Sequence, residues 1–459
     1  MSIHRRRFLQ SIVAGATSVF SWGDAFAALD AKSNFTHGFG PLVEDSSQTL
    51  DLPQGFNYSV IAQVGAPMSD GFTVPGLPDS MSAFKGPAGR VVLLCNHELN
   101  VKSKSHAFTG IVNPLGSNIL KKIYDPAVGK GGVSTLIIEE KSLQLDQHFL
   151  SLAGTLRNCS GGATPWGSWL SCEESVVKAG ESGAVRDHGY VFDVSAKARG
   201  LQTPHPLTAL GRFNHEAAVV DPNTGIVYLT EDRNDSLFYR FLPFRPGELR
   251  AGGRLQALAI LSHEGGQTAN RFGQDIPLGK ALPVRWVPLD NVQAPEDDLR
   301  IRGRDLGASQ FVRGEGMVVQ VSPQKRSMIW FMATSGGPKE LGQVWRYQPS
   351  IEEGNPGEAQ HHGQLELFLE PANAAIQNHG DNLALAPNGD LIICEDSATE
   401  QRILGVTPQR GVYLIARNPR SDSEFAGATF SPSGKTMFVN IQHRGITLAI
   451  QGDWMARRG

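Results

Sequence analysis

One hairpin unit recurs six times along the chain, and a repeat of that kind admits few architectures. Its clearest copy opens with His215-Glu216-Ala217 and an apolar strand to Val220. The turn Asp221-Pro222-Asn223-Thr224-Gly225 follows, then a strand over 226–230 ending in Glu231-Asp232, then a third strand over 237–242. The same order runs from Asp79 through Gly89 to His97-Glu98 and a strand near 133–138. Cys159 leads through Trp166-Gly167 to Cys172-Glu173-Glu174 and 190–194, and Glu315 leads to 329–334 and 344–347. Asp381-Asn382 leads through Asn388-Gly389 to Glu395-Asp396 and 412–415. The last copy runs from Phe425 through Ser433-Gly434 to 440–443 and 446–450.

Short apolar strands in sets of three or four, joined by Asn-Gly, Ser-Gly or Asn-Thr-Gly turns, fit radial blades better than a sandwich. The 51 Gly and 27 Pro point the same way. The expected fold is all-β, a six-bladed β-propeller forming a single domain over residues 28–459. Outer strands are expected at 143–152, 207–213, 255–261 and 365–369. The last copy lacks one, so the strand at 57–64 is expected to complete it and close the ring, hiding the sheet edges. Insertions near 243–310 and 350–362 are expected to form loops over the blades.

In an antiparallel hairpin the start of the first strand lies beside the end of the second. The starts carry Asp79, Cys159, Glu216, Glu315 and Asp381; the ends carry Glu98, Glu173-Glu174, Glu231-Asp232 and Glu395-Asp396. With first strands innermost, these groups surround one channel mouth, where so many carboxylates repel one another unless cations are bound. The expectation is a metal site. Carboxylates suit hard ions, and a Cys159 thiolate suits a transition metal such as iron or zinc. His97 and His215 precede acids, so strand alternation turns them away, and they are read as structural. Arg313 stands two positions before Glu315 and Arg157 two before Cys159, so each shares a face with its acid or thiol. The planar fork of arginine suits phosphate oxygens, although a salt bridge to the acid ring is the plainer role.

The N-terminus reads Arg5-Arg6-Arg7-Phe8-Leu9, then a modest apolar run and Ala25-Phe26-Ala27. This is the pattern of a signal peptide over residues 1–27, and the arginine pair resembles a twin-arginine leader. The expected partner during export is the twin-arginine translocase, and the expected location is periplasmic or secreted. Removing three Arg and one Asp with that leader takes the net charge from −3 to about −5, which leaves no basic footprint for nucleic acid. The mature chain is expected to be monomeric and without a membrane segment. Cys95, Cys172 and Cys394 lie within apolar strands and read as unpaired core residues; Cys159 opens a Gly-rich turn.

Several stretches together closely resemble the PhoX-type alkaline phosphatases. They are Leu52-Pro53-Gln54-Gly55-Phe56, Asn96-His97-Glu98, Arg157-Asn158-Cys159-Ser160-Gly161-Gly162, and Thr164-Pro165-Trp166-Gly167-Ser168-Trp169. Further along come Phe213-Asn214-His215-Glu216-Ala217, Thr230-Glu231-Asp232-Arg233, Arg313-Gly314-Glu315-Gly316-Met317, Asp381-Asn382-Leu383 and Cys394-Glu395-Asp396. The resemblance implies a six-bladed propeller holding an iron (Fe3+) and calcium (Ca2+) cluster, and hydrolysis of small-molecule phosphate monoesters. Carried over, Cys159, Glu216 and Glu315 stand on the iron side and Glu173 or Glu174, Asp232 and Asp381 hold the remaining metals; Glu395 is a further metal candidate from its place in the array of strand-end acids. The resemblance makes Arg313 the substrate clamp; from its place two residues before Cys159, Arg157 is a second candidate substrate contact, and Glu315, beside Arg313, is expected to be essential to turnover. Ser160 stands where the family more often has Ala, and the chain is shorter than the best-known members.

Two other readings of the same residues are open. A calcium-dependent lactonase-like propeller also uses acids at a channel mouth, and a non-catalytic periplasmic binding propeller would hold structural calcium only. The lactonase class does not need Cys159 or Arg313.

Overall fold

The computed structural model describes residues 36–111, 115–273, 275–421 and 423–456; the leader expected over 1–27 lies outside them. The architecture is all-β and propeller-like. Each repeated unit is an antiparallel meander. The first consists of Pro78–Lys85, Arg90–His97, Gly131–Glu139 and Gln144–Thr155, paired in that order. The second consists of Asn158–Ala163, Ser168–Glu173 and Val191–Ser195; the fifth of Gly380–Leu385, Leu391–Glu395, Gln401–Val406 and Val412–Asn418. In the sixth, Phe425–Phe430, Thr436–Ile441 and Ile446–Gln451 are completed by Asn57–Gln63, which pairs with Ile446–Gln451 as the sequence led one to expect.

The third unit, His215–Val220 to Gly253–Ile260, and the fourth, Gly314–Val321 to Gln364–Leu369, are not separate sheets. The strand Ala281–Pro288 bonds to Gly253–Ile260 on one side and Gln364–Leu369 on the other, fusing both units into one nine-stranded sheet. The insertion expected to be loop therefore contains a strand, and also the helix Leu299–Asp305. Two outer-strand expectations change as well. Residues 207–213 hold only the 3-10 turn Thr208–Leu210, so the second unit has three strands. Pro204 and Pro206, lacking N–H donors, precede that stretch, and a single bridge from Pro206 to Phe192 is the only ladder contact made there among the described residues. In the fifth unit Gln401–Val406 is an additional strand, which makes Val412–Asn418 the fourth.

The first strands of successive units pack side by side, and the sixth packs against the first, so they form a closed ring. Apolar clusters fill each interface between neighbouring units. Ala218 and Val220 point into the cluster shared with Leu170, Cys172 and Val191, whereas Ala217 and Val219 point into that shared with Met317 and Ile329. That is the period of two of a strand buried on both faces. Cys95, Cys172 and Cys394 lie in three different clusters, free and buried, in agreement with the core role read from sequence.

Candidate metal centre

The site is built by an irregularity repeated in every unit. In the first unit Pro78 pairs with His97 and Met81 with Cys95, so Asp79 and Ser80 share the single opposite residue Asn96. The same two-against-one bulge places Cys159 opposite Cys172, Glu216 opposite Thr230, Glu315 opposite Met332 and Asp381 opposite Cys394. In the sixth unit the equivalent residue is Gly427, with φ of 69°. A bulge breaks the alternation of a strand and re-aims one side chain. Here five of six bulges aim an acid or thiol at the centre of the ring. Gly427 has no side chain for a physical reason: a Cβ there would stand 2.4 Å from the Asp79 carbonyl oxygen.

Bonds from neighbouring units fix the bulges. The Asn96 amide donates to the carbonyls of Cys159 (3.0 Å) and Ser160 (2.9 Å), while its Oδ1 accepts from Trp169 Nε1 and Ser171 Oγ, both at 2.8 Å. Thr230 Oγ1 donates to the Glu315 carbonyl at 2.6 Å, and Asn440 Nδ2 to that of Asp79 at 2.5 Å.

Three groups of ligand atoms result, each with all atoms within 4.8 Å of one another: Asp79, Glu98 and Cys159; Cys159, Glu174 and Glu216; Glu216, Glu315 and Asp381. Shared members, Cys159 and Glu216, link them into one chain. The two Glu216 oxygens are buried and lack a well-formed hydrogen-bond partner, leaving only the weak donor of the Cys159 thiol beside them. A carboxylate so placed is costly unless a cation meets it. Burial, then Asp381 and Glu174, hold its pKa well above the carboxylate range. Burial, then Asp79 and Glu216, push the Cys159 thiol up. Glu315 is raised by burial and then by Asp232 and Asp381, and Asp381 goes to about 7 through burial and then Asp396. A crowded, buried set of oxygens around one sulfur fits divalent or trivalent ions.

The residues expected from sequence divide in two. Cys159, Glu174, Glu216, Glu315 and Asp381 come together. Glu173 does not: its oxygens accept from His188 Nδ1 (2.6 Å), Leu156 N (2.9 Å), Gly189 N (2.9 Å) and Tyr190 N (3.3 Å). Glu395 is likewise consumed, by Arg402 at 2.6 and 2.8 Å and by the Asn378 amide at 2.6 Å. Both are buried and pair in register with first-strand residues, Asn158 and Gly380, whereas the next residue in each pair, Glu174 or Asp396, stands among the acids of the cluster. Asp232 stands at the rim, bonded by Arg313 Nε at 2.8 Å; Arg313 Nη2 also reaches Glu315 Oε1 at 2.9 Å. Arg157 bridges Glu98 (2.7 Å) and Glu174 (2.6 Å). Both arginines thus make the salt bridges that were the plainer reading, and each keeps more than a third of its side chain open to solvent.

Asp79 and Glu98 belong to the array read from sequence but not to its assigned ligands. Glu424 was not read at all. It is raised by burial and then by Asp396, Asp381, Asp79 and Glu98, so it faces the same cluster. The sixth repeat opens at Phe425 and its bulge falls on Gly427, so no repeat position in the sequence marks Glu424. His97 is spent on the Gly76 carbonyl (3.0 Å) and Ser134 Oγ (2.8 Å), and His215 on the Gly211 carbonyl (3.0 Å), so both are structural.

The family known as alkaline phosphatase PhoX matches the chain over residues 37–445. The chain belongs to the PhoX family. It is a metal-dependent phosphatase. Among solved structures, Pseudomonas fluorescens PhoX in complex with vanadate, a transition state analogue, is similar with a TM-score of 0.67 and 18% identity, over 92% of this chain and 98% of that one. A gluconolactonase from Xanthomonas campestris, XC5397, gives a TM-score of 0.40 and 12% identity over 90% of this chain and 97% of that one. No curated relative matches the chain.

Proposed function

We propose that this PhoX family member hydrolyses phosphate monoesters at a cluster of iron and calcium ions held by Asp79, Glu98, Cys159, Glu174, Glu216, Glu315 and Asp381. The observation that carries the proposal is the linked set of ligand groups sharing Cys159 and Glu216. Cys159, the one soft donor, favours iron on the side it shares with Glu216; Asp79 and Glu98 offer only hard oxygens, which favour calcium. When bound, the ions supply positive charge for the phosphate oxygens and an activated nucleophile at neutral pH.

The protein's own groups do the rest. Arg313, open on one side and anchored by Asp232 on the other, presents N–H donors to the equatorial oxygens as the phosphoryl group passes in line between nucleophile and leaving oxygen. Glu315 holds that arginine at 2.9 Å as well as lining the cluster, so its loss removes both functions. Arg157 neutralises Glu98 and Glu174 and offers a second contact to an anion at the mouth. The buried Asn96, Thr230 and Asn440 keep the bulged backbone rigid, which preserves the spacing of the ligands.

We read the fold as six blades, the nine-stranded sheet being two of them bridged by Ala281–Pro288. We read the chain as exported by the twin-arginine route and periplasmic or secreted, on the strength of Arg5-Arg6 ahead of Phe8-Leu9 and of Ala25-Phe26-Ala27. Among the described residues no helix is long and apolar enough to cross a membrane. The test is elemental analysis of protein purified from its export route, with p-nitrophenyl phosphate hydrolysis on the same sample. Iron and calcium together, with hydrolysis lost on chelation and in Cys159→Ser and Arg313→Ala, are expected. Calcium alone, or hydrolysis that survives both substitutions, would refute the cluster.

A further inference from the structure

The position that carries Arg157 and Arg313 recurs in every unit. The residue after the second strand donates its backbone N–H to a carbonyl at the entry of the first: Glu98 to Leu77, Glu174 to Arg157, Asp232 to Asn214, Thr334 to Arg313, Asp396 to His379 and Gln442 to Glu424. Four of these six acceptors are non-glycine residues in the left-handed region: Leu77 (φ 43°), Arg157 (47°), Arg313 (52°) and His379 (53°). That conformation is unfavourable for a residue with a Cβ and persists only where the surroundings impose it; such residues gather at functional sites. At two of the four positions the outcome is visible, since Arg157 and Arg313 reach Glu174 and Glu315 at the mouth.

His379 stands at this position one unit beyond Arg313, the third polar residue of the four in the left-handed region, and among the described residues it makes no ion pair. Its Nδ1 donates to Asn378 Oδ1 at 2.8 Å, an acceptor-only atom, so the proton sits on Nδ1 and Nε2 presents a lone pair. Arg313, Asp396 and Glu340 are close enough to act on the ring electrostatically. Beyond Arg313, then, the imidazole Nε2 and the Asp396 carboxylate are the acceptors, whereas the Glu340 carboxylate is taken up by Arg271 Nε at 2.8 Å. A hydroxylated carbon chain would be held there.

We propose that His379 is a specificity-determining residue that accepts a hydrogen bond from a hydroxyl on the alcohol half of the substrate, favouring phosphate esters of polyols or sugars over esters of aromatic alcohols. The proposal rests on the phosphatase reading above, with the phosphoryl group beside Arg313, and requires no change in protonation of the ring.

The experiment compares kcat/KM for glycerol 2-phosphate and p-nitrophenyl phosphate in metal-loaded wild type, His379→Ala and His379→Gln. In His379→Ala the selectivity ratio for the glycerol ester is expected to fall about three- to tenfold, the range of one neutral hydrogen bond, through KM rather than kcat. His379→Gln, whose side-chain oxygen is again an acceptor, is expected to recover most of the ratio, and metal content should not change. An unaltered ratio, or equal losses on both esters, would overturn the role of His379 alone. A wild type that hydrolyses neither ester would overturn the phosphatase reading and this inference with it.

Discussion

Replacing Glu216 with glutamine tests the central physical claim, that the ring is stable because cations meet its buried carboxylates. Glu216 is fully buried, both its oxygens lack a well-formed partner, and Asp381, Glu174 and Asp79 crowd it. In the loaded wild type, ions at 100 to 1,000 times their dissociation constant stabilise the fold by about 2.7 to 4.1 kcal/mol per site. Losing one charged ligand costs about 1.5 to 3 kcal/mol of ion affinity, so the same free metal yields much less stabilisation in Glu216→Gln. With the ions removed the order reverses, because glutamine relieves the repulsion among the acids. The assay is calorimetric or fluorescence-monitored unfolding at pH 8 of both proteins, loaded and chelated. Chelation should lower the wild-type Tm by several degrees and the variant by clearly less, and the stripped variant should melt above the stripped wild type. Equal shifts on chelation, with the stripped wild type still the more stable, would refute the reasoning.

Other consequences can be checked on the same protein. Asp381 has a pKa raised from 3.8 to about 7, so its neutral form belongs to the fold; metal-free protein should lose stability as pH rises from about 4 through about 7, and a flat or rising denaturation midpoint there would contradict this. Arg402→Ala leaves Glu395 buried without its partner and should cost about 3 to 5 kcal/mol in denaturant unfolding while iron and calcium content stays unchanged; metal loss would return Glu395 to the ligand set. Gly427→Ala drives a Cβ into the Asp79 carbonyl from a left-handed backbone and should destabilise by about 2 to 4 kcal/mol, a cost absent if the sixth bulge can yield.

The residues alone show the repeat, the all-β class, the closing strand at the N-terminus and the concentration of acids on one face. These are legible because they follow from local pattern: turn chemistry, strand period and the adjacency of hairpin ends. Cys159, Glu216, Glu315 and Asp381 were readable for the same reason, each standing at the start of a first strand. Side-chain direction, by contrast, comes from the packed fold. In Glu173-Glu174 and Glu395-Asp396 both residues carry a carboxylate, and nothing local says which of the two faces the mouth. A bulge opposite Cys172 or Cys394 sets that, and it is held by bonds from the neighbouring unit, such as Asn96 to Cys159 across 63 residues of sequence. Glu424 joins the cluster, and Ala281–Pro288 fuses two units, through contacts between segments far apart in the chain, whose energy no local window of sequence contains.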